Sequence, residues 1–558
     1  MKLKNKCLTL FLSLFLLSGC DFMDCSESDY YSLEQIQGSF SRVKQFATNI
    51  YGYLPHDFCS IDGAMQDAAT DDAVHIYESS SVQRFVNGTW SANYLVEDQF
   101  ASLYNAIHDA NFYLNNLTGL TFDDWKYADD YEDWMKEYPN YENEIRVLRA
   151  FFYFELVKRY QNIPLITTVL SQEEANMTKP VAPEVIFEFI IKECTEVSKL
   201  LPVNYESFGK DKETGRVTKG VALALKARVA LYAASPLFNH NDDKSKWIAA
   251  AEAAYEIIGE QSTLGYDLDR SFVNLFGAKN NTSKEVIWAR PTGESNGFEA
   301  SNFPMGVKGG KTSTCPTENL ASAFEMEDGR MFNWNDESMK QNPYARRDPR
   351  FYLTIVHNGM NWPADKSVEI WEGGANGLPL TNVTTTGYYL RKYVNNNISF
   401  EPGSPTTKAH HNWILFRYAE VLLNYAEAMV NAYGDIEHTT AKCAMTALEA
   451  VNKVRSREGV KMPALLQTLT PAEFLKRVKN ERRVELAFEG HRFWDIRRWK
   501  ELDNTADIYG VKVRKESDKI EYKKTLIDTN VVADRMYFYP FANTELFTNG
   551  NLKQNEGW

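Results

Sequence analysis

Apolar residues recur at helical spacing over most of this chain. The i, i+3, i+4 stripes predict helices near residues 34–51, 97–117, 141–161, 183–200, 218–234 and 245–260, then again near 413–432, 440–458, 471–489 and 493–501. Within 218–234, Val221, Leu225, Arg228 and Tyr232 fall at that spacing among closely set alanines, small enough for neighbouring helices to approach. Short loops between helices of this length predict antiparallel pairs stacked like tetratricopeptide units. Between about 262 and 410 the periodicity fades; Gly, Asn, Ser, Thr and Pro rise, and short strands are predicted at 285–288 and 351–356. A loop-rich insertion of this length in a helical frame is more often functional than decorative. The predicted fold class is therefore mainly α: a tetratricopeptide-like helical scaffold (34–261), a loop-rich irregular lobe containing short strands (262–410), and a C-terminal helical segment packing back on the scaffold (411–558).

Residues 480–499 depart from simple amphipathicity. Pro471, Glu473 and Gly490 mark the ends of the helix that enters this run. Val484, Ala487 and Phe488 make an apolar stripe, but Glu481, Arg482, Arg483, Glu485 and Glu489 interleave with it. Phe493, Trp494 and Trp499 follow beside Asp495, Arg497 and Arg498. Charges lodged among large rings must be paired and hydrogen-bonded. The run reads as a structural clasp (Glu481, Arg482, Glu485, Arg492, Trp494, Asp495) that fixes how the C-terminal segment docks. Catalytic use of Glu481, Glu485, His491 and Asp495 is the competing reading.

Composition narrows the function. At 558 residues and 44% hydrophobic the chain can bury a large core. A net charge of −14 without a Lys/Arg cluster argues against nucleic acid as a partner. The N-terminus reads as a processing segment: Lys2, Lys4 and Lys6 precede an apolar run, 8–17, too short to span a membrane as a mature helix. Residues 1–19 are read as a lipoprotein signal peptide. Leu17, Ser18, Gly19 and Cys20 have the form of a lipobox, so Cys20 is the expected lipid attachment point, and 20–33 the anchor and tether. Three acyl chains exceed the two-signal threshold for stable anchoring. An ordinary secretory signal with a chance cysteine is the alternative. Cys25, Cys59, Cys194, Cys315 and Cys443 then remain, an odd number without C-x-x-C, which implies no disulfide framework. His410 and His411 lack partner spacing for zinc and no EF-hand spacing occurs, so neither metal nor cofactor is expected.

Residues 480–499 resemble the C-terminal signature of the SusD/RagB family, surface glycan-binding lipoproteins of Bacteroidetes. Residues 149–160 with 163–166, 218–228 through 235–238, 347–351, 387–392 and 415–427 resemble other family stretches in the same order. The resemblance implies a right-handed helical scaffold of four helix pairs. It also implies a non-catalytic, lipid-anchored protein at the outer face of the outer membrane, with an oligo- or polysaccharide ligand and a SusC-like TonB-dependent transporter as partner. Asp67, Asp71 and Asp72 fall where family members often contact ligand.

Sugar recognition requires flat aromatic faces beside groups that satisfy hydroxyls. Aromatic residues in loops are better placed for this than those on helical stripes. Trp90 lies in the turn 87–90, and Gly309 and Gly310 lead to Cys315, where backbone and a small side chain can approach a ligand. Trp334, Trp362 and Trp371 sit in irregular sequence, and Arg391 has two parallel donors for vicinal hydroxyls. The expected glycan-binding residues are thus Asp67, Asp71, Asp72, Trp90, Cys315, Trp334, Trp362, Trp371 and Arg391. A lipid-anchored glycoside hydrolase with two carboxylates about 5–9 Å apart and a protein-binding helical-repeat scaffold are the competing functions.

Overall fold

The computed structural model describes residues 31–56, 58, 60–206 and 215–558. Cys20, Cys25, Cys59, the signal segment and most of the tether lie outside those residues. Eleven helices matter here: α1 (Phe40–Tyr51), α2 (Phe100–Asn116), α3 (Tyr131–Tyr160), α4 (Pro183–Val197), α5 (Lys219–Ala234), α6 (Lys244–Gly259), α7 (Pro349–Thr354), α8 (Tyr418–Tyr433), α9 (Ala447–Arg455), α10 (Pro471–Glu485) and α11 (Arg492–Arg498). Short antiparallel pairs join β1 (Ala73–His75) to β3 (Thr314–Pro316), β2 (Val286–Arg290) to β6 (Trp413–Arg417), and β4 (Ile355–Val356) to β5 (Tyr389–Leu390). A longer hairpin pairs β7 (Asp507–Glu516) with β8 (Lys519–Thr529). The protein is mainly α, as expected.

Consecutive helices stack from α2 to α6, and α8 then packs on both α6 and α9. The centre of the stack is α3, in which every residue from Val147 to Tyr160 is buried. A helix buried on all sides must be surrounded, and α1, α2, α4 and α5 pack around it. The alanines of α5 make the close approaches: Ala222, Ala224, Ala227, Ala230 and Ala234 are all in the core. Cys194, Cys315 and Cys443 are unpaired and buried.

The structure corrects several predicted boundaries. α3 begins ten residues before 141 and runs through Pro139. Trp134 stacks on Phe40 at 5.2 Å and the Tyr138 hydroxyl donates to Leu117 O at 2.6 Å. These contacts hold the upstream turns against the ~3 kcal/mol cost of an internal proline. Residues 413–417 are not the start of a helix but β6, whose Phe416 stacks on Trp288 of β2 at 5.9 Å. Residues 351–356 are mostly helix α7: Pro349 sits in the first turn, and Asp348 accepts the Arg350 N–H. The β7–β8 hairpin was not predicted, although the alternation of Val511 and Val513 with Lys512 and Arg514 displays it.

Helix α10 begins with a capping box, Thr470 with Glu473, but stops at Glu485 rather than near Gly490. Cationic side chains take over its terminal carbonyls. Arg417 Nη2 donates to Glu485 O at 2.8 Å and Lys392 Nζ to Ala487 O at 2.8 Å. Phe488 and Gly490, at φ 60° and 72°, then turn the chain into α11.

Between α10 and the irregular lobe lies a buried, continuous ion network. Arg350 bridges Asp348, Glu481 and Glu485; Arg455 bridges Glu481 and Glu325; Arg417 bridges Glu285, Glu485 and Glu489. Arg457 joins Glu285 to Glu485, Lys392 holds Glu489 at 2.7 Å, and Arg477 reaches Glu325 at 2.6 Å. Six carboxylates thus meet six cations, so the network is neutral overall. Burial pushes the Glu485 carboxyl up, but Arg457, Arg417 and Arg350 outweigh it and hold the group well below the usual carboxylate range. A second cluster joins Arg482 to Asp495 at 2.7 Å, and Arg498 to Asp495 and Glu427, tying α10 and α11 to α8.

Removing one partner of such a network leaves a buried charge uncompensated. Glu485→Gln is expected to cost about 3–5 kcal/mol in urea unfolding at neutral pH; a loss below about 1 kcal/mol would show that the network bears little of the load.

Candidate functional site

The expected site residues separate into three groups. Asp67, Asp71 and Asp72 point inward. Asp67 Oδ1 accepts the Phe488 N–H at 3.0 Å, Asp71 takes both Arg483 and Arg492, and Asp72 takes Arg483 Nε at 2.7 Å. All three are buried. In this structure they fasten the N-terminal loop to the turn after α10, and a ligand does not reach them. Trp90 is likewise buried rather than held in an exposed turn. Phe85, Tyr539 and Trp558 meet its ring edge to face at 4.7, 5.3 and 4.6 Å, because the C-terminal residues fold over it. Cys315 is buried in β3 opposite Val74.

Two further tryptophans are half-buried and apart from one another. Trp334 donates its indole N–H to Glu318 Oε1 at 2.6 Å, and Trp371 carries Lys515 Nζ 4.5 Å above its ring. The third group, Trp362 and Arg391, meets in one place. Both line a cleft of about 660 Å³ between α7, the segment after β5 and the short helical turn Phe272–Leu275 with the residues after it.

The cleft has one apolar wall and a polar rim, the composition expected of a small-molecule site. Phe272, Phe276 and Tyr393 form the wall. Trp362 is itself buried, held edge-on to Phe303 at 5.5 Å, and enters the lining through an indole whose N–H has no acceptor among the described residues. Arg391 uses one nitrogen, Nη1, on Tyr352 O. The opposite edge of the guanidinium, Nε and Nη2, has no protein partner among the described residues, leaving two parallel donors of the kind that bind vicinal hydroxyls. Burial lowers the pKa of Arg391 without uncharging it. Asn395, Asn396 and Asn397 add amides to the rim. The first of these is fixed by its backbone N–H on Glu299 Oε1 at 2.9 Å, and the same oxygen meets His411 Nε2 at 2.8 Å.

Sequence reasoning missed the asparagines, although three in a row within an irregular segment were a visible signal. It also missed a shallow hollow of about 500 Å³ walled by Arg84, Asn87 and Tyr94, where Tyr94 is exposed and lies 4.9 Å from the Arg84 guanidinium.

The SusD family model matches residues 279–558, and a second model, described as starch-binding associating with outer membrane, matches 21–231. SusD-like protein P25 of Formosa agariphila is 23% identical over 541 residues, covering 89% of this chain and 90% of its own. SusD-like protein P2 of the same organism is 25% identical over 421 residues, covering 73% and 72%. A SusD-like protein from Bacteroides fragilis superposes with a TM-score of 0.75 at 27% identity, covering 94% of this chain and 98% of that one. A laminarin binding SusD-like protein superposes with a TM-score of 0.64 at 21% identity, covering 93% and 99%.

The aspartate clasp carries a pH signature. Burial, with the Asp72 charge beside it, pushes the Asp67 carboxyl up to about 7, above its unfolded value near 4. The folded state therefore binds a proton that the unfolded chain has lost, and stability falls as pH rises from about 4 to 7. Asp67→Asn keeps an acceptor for Phe488 and removes that charge. It is expected to raise stability by about 1–2 kcal/mol at pH 8 and to change little at pH 5, measured by urea unfolding at both; an equal effect at the two pH values would contradict the assignment.

Proposed function

The chain belongs to the SusD family, and from that premise we propose that it is a non-catalytic, lipid-anchored glycan-binding protein of the outer membrane surface. Its ligand site is the cleft of Trp362 and Arg391. The observation that carries this reading is the unused Nε–Nη2 edge of Arg391 beside the unused indole N–H of Trp362, above a wall of aromatic rings. Such a site holds hydroxyl pairs without cleaving anything. The carboxylates of the 481–495 run support a binding role too: Glu481, Glu485 and Asp495 are each committed to guanidinium groups. The same groups cannot serve as a hydrolytic acid and nucleophile while so engaged.

Anchored by a lipid on Cys20, the protein would work as a capture surface over a SusC-like TonB-dependent transporter and hand oligosaccharide to it. At high density on a membrane, modest individual affinities suffice to retain a polymer through multivalency. Several SusD-like structures are named for carbohydrate binding, among them one from Bacteroides fragilis and the laminarin binding protein. These names fit the proposal without naming this chain's glycan.

The test is calorimetry of the protein lacking residues 1–24 against defined oligosaccharides of starch, fructan, xylan, mannan and β-glucan types, with reducing-end release followed in parallel. The expected result is binding without turnover, weakened at least tenfold by Arg391→Ala and several-fold by Trp362→Phe, with Tyr94→Ala unchanged. Loss of binding in Tyr94→Ala alone would move the site to the hollow beside Arg84. Sustained release of reducing ends would replace binding with hydrolysis. For the anchor, Cys20→Ala is expected to shift the exported protein from the detergent phase to the aqueous phase in phase partitioning; retention in the detergent phase would contradict acylation at that thiol.

A further inference from the structure

A second cavity, which shares no lining residue with the Trp362–Arg391 cleft although its Glu489 pairs with Lys392 of that cleft, lies between the scaffold and the C-terminal segment. It has a volume of about 310 Å³, and its residues come from the loop after α1, from α2, α3 and α5, from β6, and from the turn before α11. Gly52, His56 and Ser102 are exposed at its mouth, whereas Lys158, Tyr232 and Trp494 are buried at its floor. At roughly 30 Å³ per water, this is room for about ten waters or one compact molecule of similar size.

The floor has more hydrogen-bond donors than it can use. Lys158 is 8% exposed and places one N–H on Glu155 Oε1 at 2.6 Å. No described residue accepts its other two, and the ammonium sits 4.4 Å from the Trp494 ring centre. His491 supplies another donor. Its Nδ1 lies 3.2 Å from Arg482 Nη2, and because a guanidinium only donates, Nδ1 is the acceptor. Burial and the surrounding cations keep this imidazole neutral, so its one proton rests on Nε2, which has no partner among the described residues. The Trp494 indole N–H, the Tyr232 hydroxyl and the Gln66 amide also lack partners among the described residues while lining the same space.

The carboxylates around it, by contrast, are already engaged. Glu155 receives Lys158 and Arg159; Glu97 receives Arg159 and the Tyr539 hydroxyl; Glu489 receives Lys392 and Arg417. A neutral polyol offers these donors hydroxyl oxygens but no charge to meet the Lys158 ammonium. A carboxylate brings only acceptors. The floor is also close to charge balance, with Lys158 and Arg159 facing Glu97 and Glu155, which disfavours a dianion. Beside the polar floor, Leu103, Phe151 and Leu415 offer an apolar flank for a ring-sized body.

We propose that this cavity is a binding site for a compact monocarboxylate of about monosaccharide size, a uronic acid being the type, with its carboxylate on Lys158 and His491. The proposal is independent of the glycan reading of the Trp362–Arg391 cleft and stands or falls separately.

The experiment is calorimetry of the protein lacking residues 1–24 with sodium glucuronate, glucose and inorganic phosphate at constant pH and ionic strength. Glucuronate is expected to bind one to one, with glucose and phosphate at least tenfold weaker. Lys158→Met is expected to reduce glucuronate affinity at least tenfold. Tyr232→Phe, which removes a hydroxyl no protein group uses, is expected to reduce it several-fold at an unchanged melting temperature, and it keeps the test open should Lys158→Met fail to fold. Equal binding of glucose or phosphate, unaltered affinity in Tyr232→Phe, or no binding of any probe, meaning a cavity of water alone, would overturn the proposal. Glucuronate binding that vanishes in Arg391→Ala instead would place the anion in the other cleft and overturn it as well.

Discussion

Guanidinium groups buried against carboxylates hold this molecule together at the point where its two kinds of architecture meet. A helical stack can rely on apolar stripes, and α3 and α5 do so. The irregular lobe has no long helix of its own to bury. Its elements are instead pinned by charge: Glu325, Asp348, Arg350 and Lys392 from the lobe join one network with Glu481 and Glu485 of α10 and Glu489 just beyond it, bridged by Arg417, Arg455 and Arg457. Taking such ions out of water is costly, and the cost is offset only where every lone pair and proton finds a partner. That requirement acts on geometry. A network satisfied in one arrangement admits few others, which positions loops that propensity alone would leave free.

The candidate cleft inherits this constraint. Arg391 directly precedes Lys392, whose ammonium is held by Glu489 and by the Ala487 carbonyl. Asn395 is fixed through Glu299. The unpartnered donors of this cleft are thus carried on backbone that a buried salt bridge has already placed, and pre-placed donors lower the ordering cost of any binding. The same logic applies in the 481–495 run, where carboxylates dense enough to suggest chemistry are paired with guanidinium groups that hold the chain.

What could be read from the sequence followed the range of the interactions. Periodic helices such as α5 and α8 were legible because their signal is local. A four-residue apolar run such as 413–416 carries no period that distinguishes strand from helix, and only its pairing with β2 decides it. The charged run at 480–499 announced that its charges must be paired, but not with whom. Arg483 and Arg492 find Asp72 and Asp71 at separations of 411 and 421 residues. That distance is why the aspartates looked like ligand groups, and why Trp90 looked exposed until Tyr539 and Trp558 were laid over it. The polar rim of the cleft was visible as Arg391 and an asparagine run, yet its meeting with Trp362 was not.

If the buried network unites lobe and scaffold, the two unfold together. Native-state hydrogen exchange, followed residue by residue in low urea, tests this most directly. The account predicts that the slowest amides of β4, β5 and α7 exchange with the same opening free energy and urea dependence as those of α3 and α8. Slowest amides in the lobe that open at a free energy several kcal/mol below the scaffold's, with a smaller urea dependence, would show that the lobe is held independently and contradict it.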